Sequence, residues 1–134
     1  MQPTTLNPYE QKLLKGWEEI YKKGQLTFWI LLALKDGPKY MAEIKQFVAS
    51  LTHETIIADD QSMYRALRRY ETAEIIQPQT IPGKAGPERK VYELTEIGER
   101  ILETFSQRNI TPIFYQPSLQ LLITNKRESS NEKN

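Results

Sequence analysis

The sequence contains no cysteine and a single histidine, His53. The first absence excludes disulfides, thiolate nucleophiles, iron–sulfur clusters and cysteine-ligated zinc. One imidazole cannot build a histidine-rich metal site, and a triad would need it beside a serine and a carboxylate. His53 lies in a polar connection without a companion ligand and reads as a surface residue. There is no phosphate-cradling glycine loop and no nucleophile–base pair, so no catalytic residue, metal or cofactor is expected. No apolar run approaches the length of about 18 residues that a membrane-spanning helix needs. Met1-Gln2-Pro3-Thr4-Thr5 lacks the basic-then-apolar pattern of a secretory signal, and a cytoplasmic location is expected.

What remains suits one domain. The chain has 134 residues, 39% hydrophobic and 26% charged, enough for one modest core. Its net charge of +1 is unevenly spread. Residues 1–60 hold 7 basic and 8 acidic side chains, residues 61–92 hold 6 and 3, and residues 93–134 hold 5 and 6. The middle third is therefore +3 between two segments of −1. Such an imbalance carries meaning only if its positions share a face.

Residues 1–8 read as a flexible lead-in, with Pro8 suited to a first helical turn. Tyr9, Leu13, Trp17, Ile20 and Tyr21 form one helical stripe over residues 9–23, and Gly24 is expected to interrupt that helix. Residues 25–36 are apolar nearly all round, as in a buried helix, and Asp36-Gly37-Pro38 stops them. Ile44, Phe47, Val48 and Leu51 mark a second helix. Met63, Leu67 and Tyr70 give a third, residues 61–71, a core stripe, with Asp59, Asp60 or Ser62 as its cap. Arg65, Arg68 and Arg69 lie mainly off that stripe.

Residues 75–81 and 89–94 are strand candidates around a span with two Gly and two Pro, which reads as a hairpin with a long tip. Pro78 argues for an edge strand. Thr95 caps a further helix through Ile97, Ile101, Leu102 and Phe105, with Glu96 and Glu99 in its first turn. Residues 113–124 are apolar, with Pro117 near the middle, and are expected to form the C-terminal helix. Residues 125–134 are polar and expected to be disordered.

Helix, helix, helix, hairpin, helix is the order of a mainly α (α+β) winged helix-turn-helix, a single domain over 9–124 with its core at 24–108. In that architecture the third helix enters the DNA major groove. The basic excess falls on this helix (Arg65, Arg68, Arg69) and on the hairpin, or wing (Lys84, Arg89, Lys90). Pattern and charge thus point independently to double-stranded DNA.

Two stretches carry a family resemblance. Gln61-Ser62-Met63-Tyr64-Arg65-Ala66-Leu67-Arg68-Arg69-Tyr70-Glu71 resembles the G-T-L-Y-P-A-L-R-R-L-E recognition helix of the PadR family of winged-helix transcriptional regulators. Gly86-Pro87-Glu88-Arg89-Lys90-Val91-Tyr92-Glu93-Leu94-Thr95-Glu96-Ile97-Gly98 resembles that family's G-x-x-R-K-x-Y-x-L-T-x-x-G wing and following helix. The resemblance spans about residues 17–105. Gln61, Arg65 and Glu74 stand where the family usually has Gly, Pro and Gly, and Tyr40-Met41-Ala42-Glu43-Ile44 replaces its G-Y-E-I. A changed recognition helix implies that no operator sequence can be carried over.

The resemblance implies a homodimer formed through the terminal helices, 9–23 and 113–124, with Tyr9, Leu13, Trp17, Ile20, Leu119 and Leu122 as dimerisation residues. It implies a repressor acting on promoter DNA through an inverted repeat. Arg65 is the first choice for base contact, since an arginine can bridge guanine O6 and N7. Gln61, Ser62 and Tyr64 follow, near the helix N-terminus. Tyr64 has a packing alternative, and Arg68 and Arg69 have Glu71 and Glu74 as alternative partners on the helix surface. Lys84, Arg89 and Lys90 are candidates for phosphate contact, against the alternative of a merely solvated basic hairpin. Trp17 and Trp29 read as core or interface aromatics rather than a ligand pocket, and no small-molecule ligand is indicated. The rival reading is a protein-interaction module on the same scaffold, since fold does not set function. Ion pairs within the chain at Arg65, Arg89 and Lys90 would favour that rival.

Overall fold

In the computed structural model, which describes residues 5–81 and 89–124, nine elements follow one another. The first is a helix of 29 residues, α1 (Pro8–Asp36). A capping box starts it: the Glu10 N–H donates to Asn7 Oδ1 at 2.8 Å and the Asn7 N–H donates to Glu10 Oε1 at 3.0 Å. Pro8 occupies the first turn, where its missing N–H costs nothing. The expected interruption at Gly24 does not occur. A glycine inside a helix costs roughly 1 kcal/mol relative to alanine. That is too little to break a helix capped at one end and anchored at the other by the buried Ile30, Leu31, Ala33 and Leu34. Gly37, at φ 149°, ends it before Pro38.

A two-residue strand, β1 (Lys39–Tyr40), precedes α2 (Met41–Leu51). The connection to α3 (Asp60–Thr72) turns through His53 and Glu54, both at positive φ. Asp59 caps α3 by accepting the Ser62 N–H at 2.7 Å. Met63, Ala66, Leu67 and Tyr70 form its buried face. At the other end the chain reverses through Glu74 at φ 62°, and the Ile75 N–H donates to the Tyr70 carbonyl at 2.9 Å. This is the helix-ending geometry that glycine usually fills.

β2 (Ile76–Ile81) and β3 (Arg89–Leu94) pair antiparallel, Ile76 opposite Leu94 and Ile81 opposite Arg89. β1 pairs with the other side of β3, giving the order β1-β3-β2. Pro78 accordingly lies on an edge strand. The hairpin tip, residues 82–88, lies outside the described residues, as do residues 125–134, where a disordered tail is expected.

Thr95 caps α4 (Glu96–Asn109), accepting the Gly98 N–H at 3.0 Å and donating to the Glu74 carbonyl at 2.6 Å. α4 starts so close to the strand that a Cβ on Gly98 would lie 2.1 Å from the Ile75 carbonyl oxygen. The expected single helix over 113–124 is instead two: α5 (Thr111–Phe114) and α6 (Pro117–Ile123), with Pro117 starting the second. Proline cannot supply the N–H that a continuous helix needs and disfavours helical geometry at Gln116. One core joins the last turns of α1 to α2, α3, β2, β3 and α4, with Ile30, Ile44, Met63, Leu67 and Ile76 at its centre.

Candidate nucleic-acid interface

Burial of Met63, Ala66, Leu67 and Tyr70 turns the opposite face of α3 outward. Gln61, Tyr64, Arg65, Arg68 and Arg69 are exposed there and Ser62 is half-buried. Gln61, Arg65 and Arg68 follow at steps of four and three, so they form one row along the helix. Among the described residues neither Arg65 nor Arg68 forms an ion pair within 4.0 Å. Arg69 lies to the side, its guanidinium 5.5 Å from the centre of the Tyr70 ring. Tyr64 is 55% exposed, so packing does not account for it.

The start of α3 is acidic. Asp59 accepts from the Ser62 N–H and, more weakly, from its hydroxyl, and these bonds hold its carboxyl below the ordinary carboxylate value. The charge of Arg65 works in the same direction. Asp60 accepts from Lys45 Nζ at 2.5 Å, tying α2 to α3. Ser62 is thus engaged by the cap, and two carboxylates offset the positive end of the helix dipole. The Gln61 backbone N–H and the Arg65 charge also act on the Asp59 carboxylate, and both side chains are exposed.

Lys90 on β3 lies 3.9 Å from Glu71 Oε1 on α3, both partly exposed. It therefore has an ion-pair partner within 4.0 Å, whereas Arg65 has none among the described residues. Lys90 and Tyr64 share a cleft of about 620 Å³ with Tyr40, Met41, Glu43 and Tyr92. Burial raises the Tyr92 phenol above its ordinary value, and the nearby charges of Glu71 and Tyr64 add to the shift. The Arg89 backbone pairs with Ile81, which puts the residue at the distal end of the wing strands. Lys84 lies outside the described residues.

Sequence reasoning missed the opening of α2 as part of this cleft. The Tyr40 N–H donates to Glu43 Oε1 at 2.8 Å, a helix-start signal present in the sequence as a glutamate three residues on. β1 is too short for any periodicity to reveal.

The other expected surface is the apolar stripe of α1. Tyr9, Leu13, Trp17 and Ile20 are all exposed, Trp17 at 72% and Ile20 at 74%. Leu122 is 70% exposed and Leu119 half-buried on α6. Trp29 packs against the core edge-on to Phe28, about 18 Å along the helix axis from Trp17. The two tryptophans form no common pocket in one chain. Among the described residues no group of three or more His, Asp or Glu is placed to hold a metal, and no helix is long and apolar enough to cross a membrane.

Residues 30–104 match the model of the transcriptional regulator PadR-like family. The chain is similar to a PadR family transcription regulator from Clostridium difficile, 26% identical with a TM-score of 0.54, covering 63% of this chain and 85% of that one. It is also similar to a PadR family regulator from Eggerthella lenta, 18% identical, TM-score 0.61, covering 96% of this chain and 100% of the other. A third similar structure is Bacillus subtilis PadR in complex with operator DNA: 23% identity, TM-score 0.56, 69% of this chain and 49% of that one. Among curated proteins no significant match is found.

Proposed function

This chain belongs to the PadR-like family of transcriptional regulators, and from that premise we propose that it is a cytoplasmic, homodimeric, sequence-specific repressor. The observation that carries the proposal is the outer row of α3, in which Arg65 and Arg68 stand exposed, without ion pairs among the described residues, opposite a buried face. Arg65 reads a base edge in the major groove, where an arginine can bridge guanine O6 and N7. Gln61, Ser62 and Tyr64 contact base edges or backbone beside it, and Arg68 contacts phosphate. Lys84, Arg89 and Lys90 position the wing on the backbone. That Bacillus subtilis PadR has been solved in complex with operator DNA supports DNA as the partner.

The exposed apolar stripe of α1, with Leu119 and Leu122 on α6, supports dimerisation. Two copies related by a twofold axis would present two α3 helices to major grooves roughly 34 Å apart, and an inverted-repeat operator matches that symmetry. The long amphipathic helix ahead of the winged helix is similar to that of the cyanobacterial clock modifier period extender. A circadian clock gene promoter is accordingly the first target we propose.

A second reading, a protein-interaction module on this scaffold, draws on the Lys90–Glu71 pair, which engages one wing cation within the chain. Fluorescence anisotropy separates the two. On promoter fragments at two salt concentrations, one fragment is expected to bind far more tightly than random DNA, and Arg65→Ala to remove that preference. Arg89→Ala is expected to weaken all fragments alike and to flatten the salt slope by about 0.9. Equal binding to every fragment at physiological salt would sink the repressor reading.

A further inference from the structure

Gln61 is the second residue of α3 and Arg65 the sixth. Both side chains are exposed on the face opposite the core. Among the described residues neither forms a side-chain hydrogen bond, and Arg65 forms no ion pair within 4.0 Å. The acidic residues ahead of them have partners of their own. Asp60 holds Lys45 Nζ of α2, and Asp59 accepts the Ser62 N–H at 2.7 Å. The Arg65 charge acts on Asp59 from beyond ion-pair distance.

The spacing of the two has a counterpart in DNA. Four residues advance an α-helix by about 6 Å and carry it about 40° past one full turn. Base pairs of B-DNA follow one another at about 3.4 Å. Gln61 and Arg65 therefore stand about two base-pair steps apart along a helix lying in the major groove. A recognition helix presents its N-terminal residues to the base edges, and these two lie in the first two turns.

Their chemistry differs in a way that separates bases. The arginine guanidinium only donates, which suits the paired acceptors O6 and N7 of guanine. The glutamine amide carries one donor and one acceptor group side by side. Adenine presents the complement, the N7 acceptor beside the N6 donor. Against guanine the amide carbonyl would face a second acceptor, so one bond is lost and a repulsion takes its place.

We infer that each α3 reads two bases of an operator half-site: a guanine by Arg65 and, about two base pairs away, an adenine by Gln61. The inference rests on the repressor reading and deepens it by naming the class of DNA sequence. The glycine and proline that the family usually carries at these positions offer neither group, so this readout belongs to this chain.

The probe is a duplex library with a randomised stretch of about 30 base pairs, room for two half-sites a helical turn or more apart. It is selected on the full chain and sequenced. Enriched duplexes are expected to share a G·C and an A·T pair two steps apart, repeated as an inverted copy. Gln61→Ala is expected to keep the G·C pair and lose the preference for A·T. Gln61→Arg is expected to exchange that A·T for G·C, and Arg65→Gln to exchange the original G·C for A·T. A merely structural role would not swap one base for another. Both positions are exposed, and native circular dichroism verifies each variant. By anisotropy on the enriched duplex, replacing the A·T pair by G·C should weaken the wild type roughly 5- to 150-fold and Gln61→Ala far less. A 7-deazaadenine at the same place removes the N7 acceptor alone, and should weaken the wild type severalfold and leave Gln61→Ala unchanged. Enriched duplexes without this pair of bases overturn the inference, as does an A·T preference that survives Gln61→Ala or a G·C preference that survives Arg65→Gln. Each of these leaves the repressor reading standing. No enrichment over the starting library overturns both.

Discussion

Lys90 Nζ on the wing strand lies 3.9 Å from Glu71 Oε1 on α3, so the two proposed DNA-contacting elements are linked by an ion pair. A phosphate approaching Lys90 competes with that carboxylate. Glu71→Gln removes the competitor and a repulsive charge without changing size. Exposed pairs contribute up to about 1 kcal/mol, so DNA affinity should rise by up to about fivefold at low salt, and less at high salt. Anisotropy on one fragment at two salt concentrations checks this, and weaker binding would contradict it.

Glu74 ends α3 in the left-handed region, at φ 62°, where the PadR family usually has glycine. That conformation costs an L-residue about 1–2 kcal/mol. Glycine returns part of this gain through a freer unfolded chain. Glu74→Gly is expected to stabilise the protein by about 0.5–1 kcal/mol in urea unfolding. Unchanged or reduced stability would show that Glu74 makes a compensating interaction.

Asp59 predicts a pH dependence with a definite sign. Its folded carboxyl titrates below the ordinary value of 3.8 because the Ser62 N–H and hydroxyl bond the charged form. The group therefore adds stability above that ordinary value, and the contribution is lost as pH falls through the lower folded value. Asparagine keeps the cap but not the charge. The thermal stability of wild type should exceed that of Asp59→Asn at neutral pH, and the gap should close as pH falls below the ordinary value of 3.8. A gap that stays constant with pH would assign the difference to something other than the carboxylate.

The α1 stripe predicts a concentration-dependent assembly. Tryptophan is a frequent anchor at interfaces, and Trp17→Ala should weaken the dimer by about 2 kcal/mol. Ile20→Asp puts a charge at the same surface and should give a monomer with native circular dichroism. Sedimentation velocity distinguishes the outcomes, and a monomeric wild type at micromolar concentration would remove the dimer from the proposal.

Much of this arrangement is legible in the chain. The spacing of Met63, Leu67 and Tyr70 placed one face of α3 in the core, and that face is buried. Asp59 and Thr95 carry the capping chemistry that starts α3 and α4. The strands 76–81 and 89–94 follow from local composition, and Pro78 from its lack of a donor. Helix breaks are less legible. Gly24 reads as a stop in a helix that tertiary packing carries through, while Pro117 divides a segment that reads as whole. A glycine penalty of about 1 kcal/mol yields to packing, whereas proline's missing donor and ring clash cost about 3 kcal/mol or more.

The sequence by itself determined which side chains are available to each face: the periodicities, the caps and the basic charge of α3 and the wing. Those are short-range properties, set by 3.6-residue and two-residue repeats and by bonds across three positions. Only the tertiary structure decided which of these charges is free and which is paired. Lys90 meets Glu71 across 19 positions, Thr27 meets Tyr70 across 43, and Gly98 meets the Ile75 carbonyl because α4 starts against the turn that leads into β2. Contacts at such separations depend on how the helices and the sheet pack around one core, which no local pattern encodes.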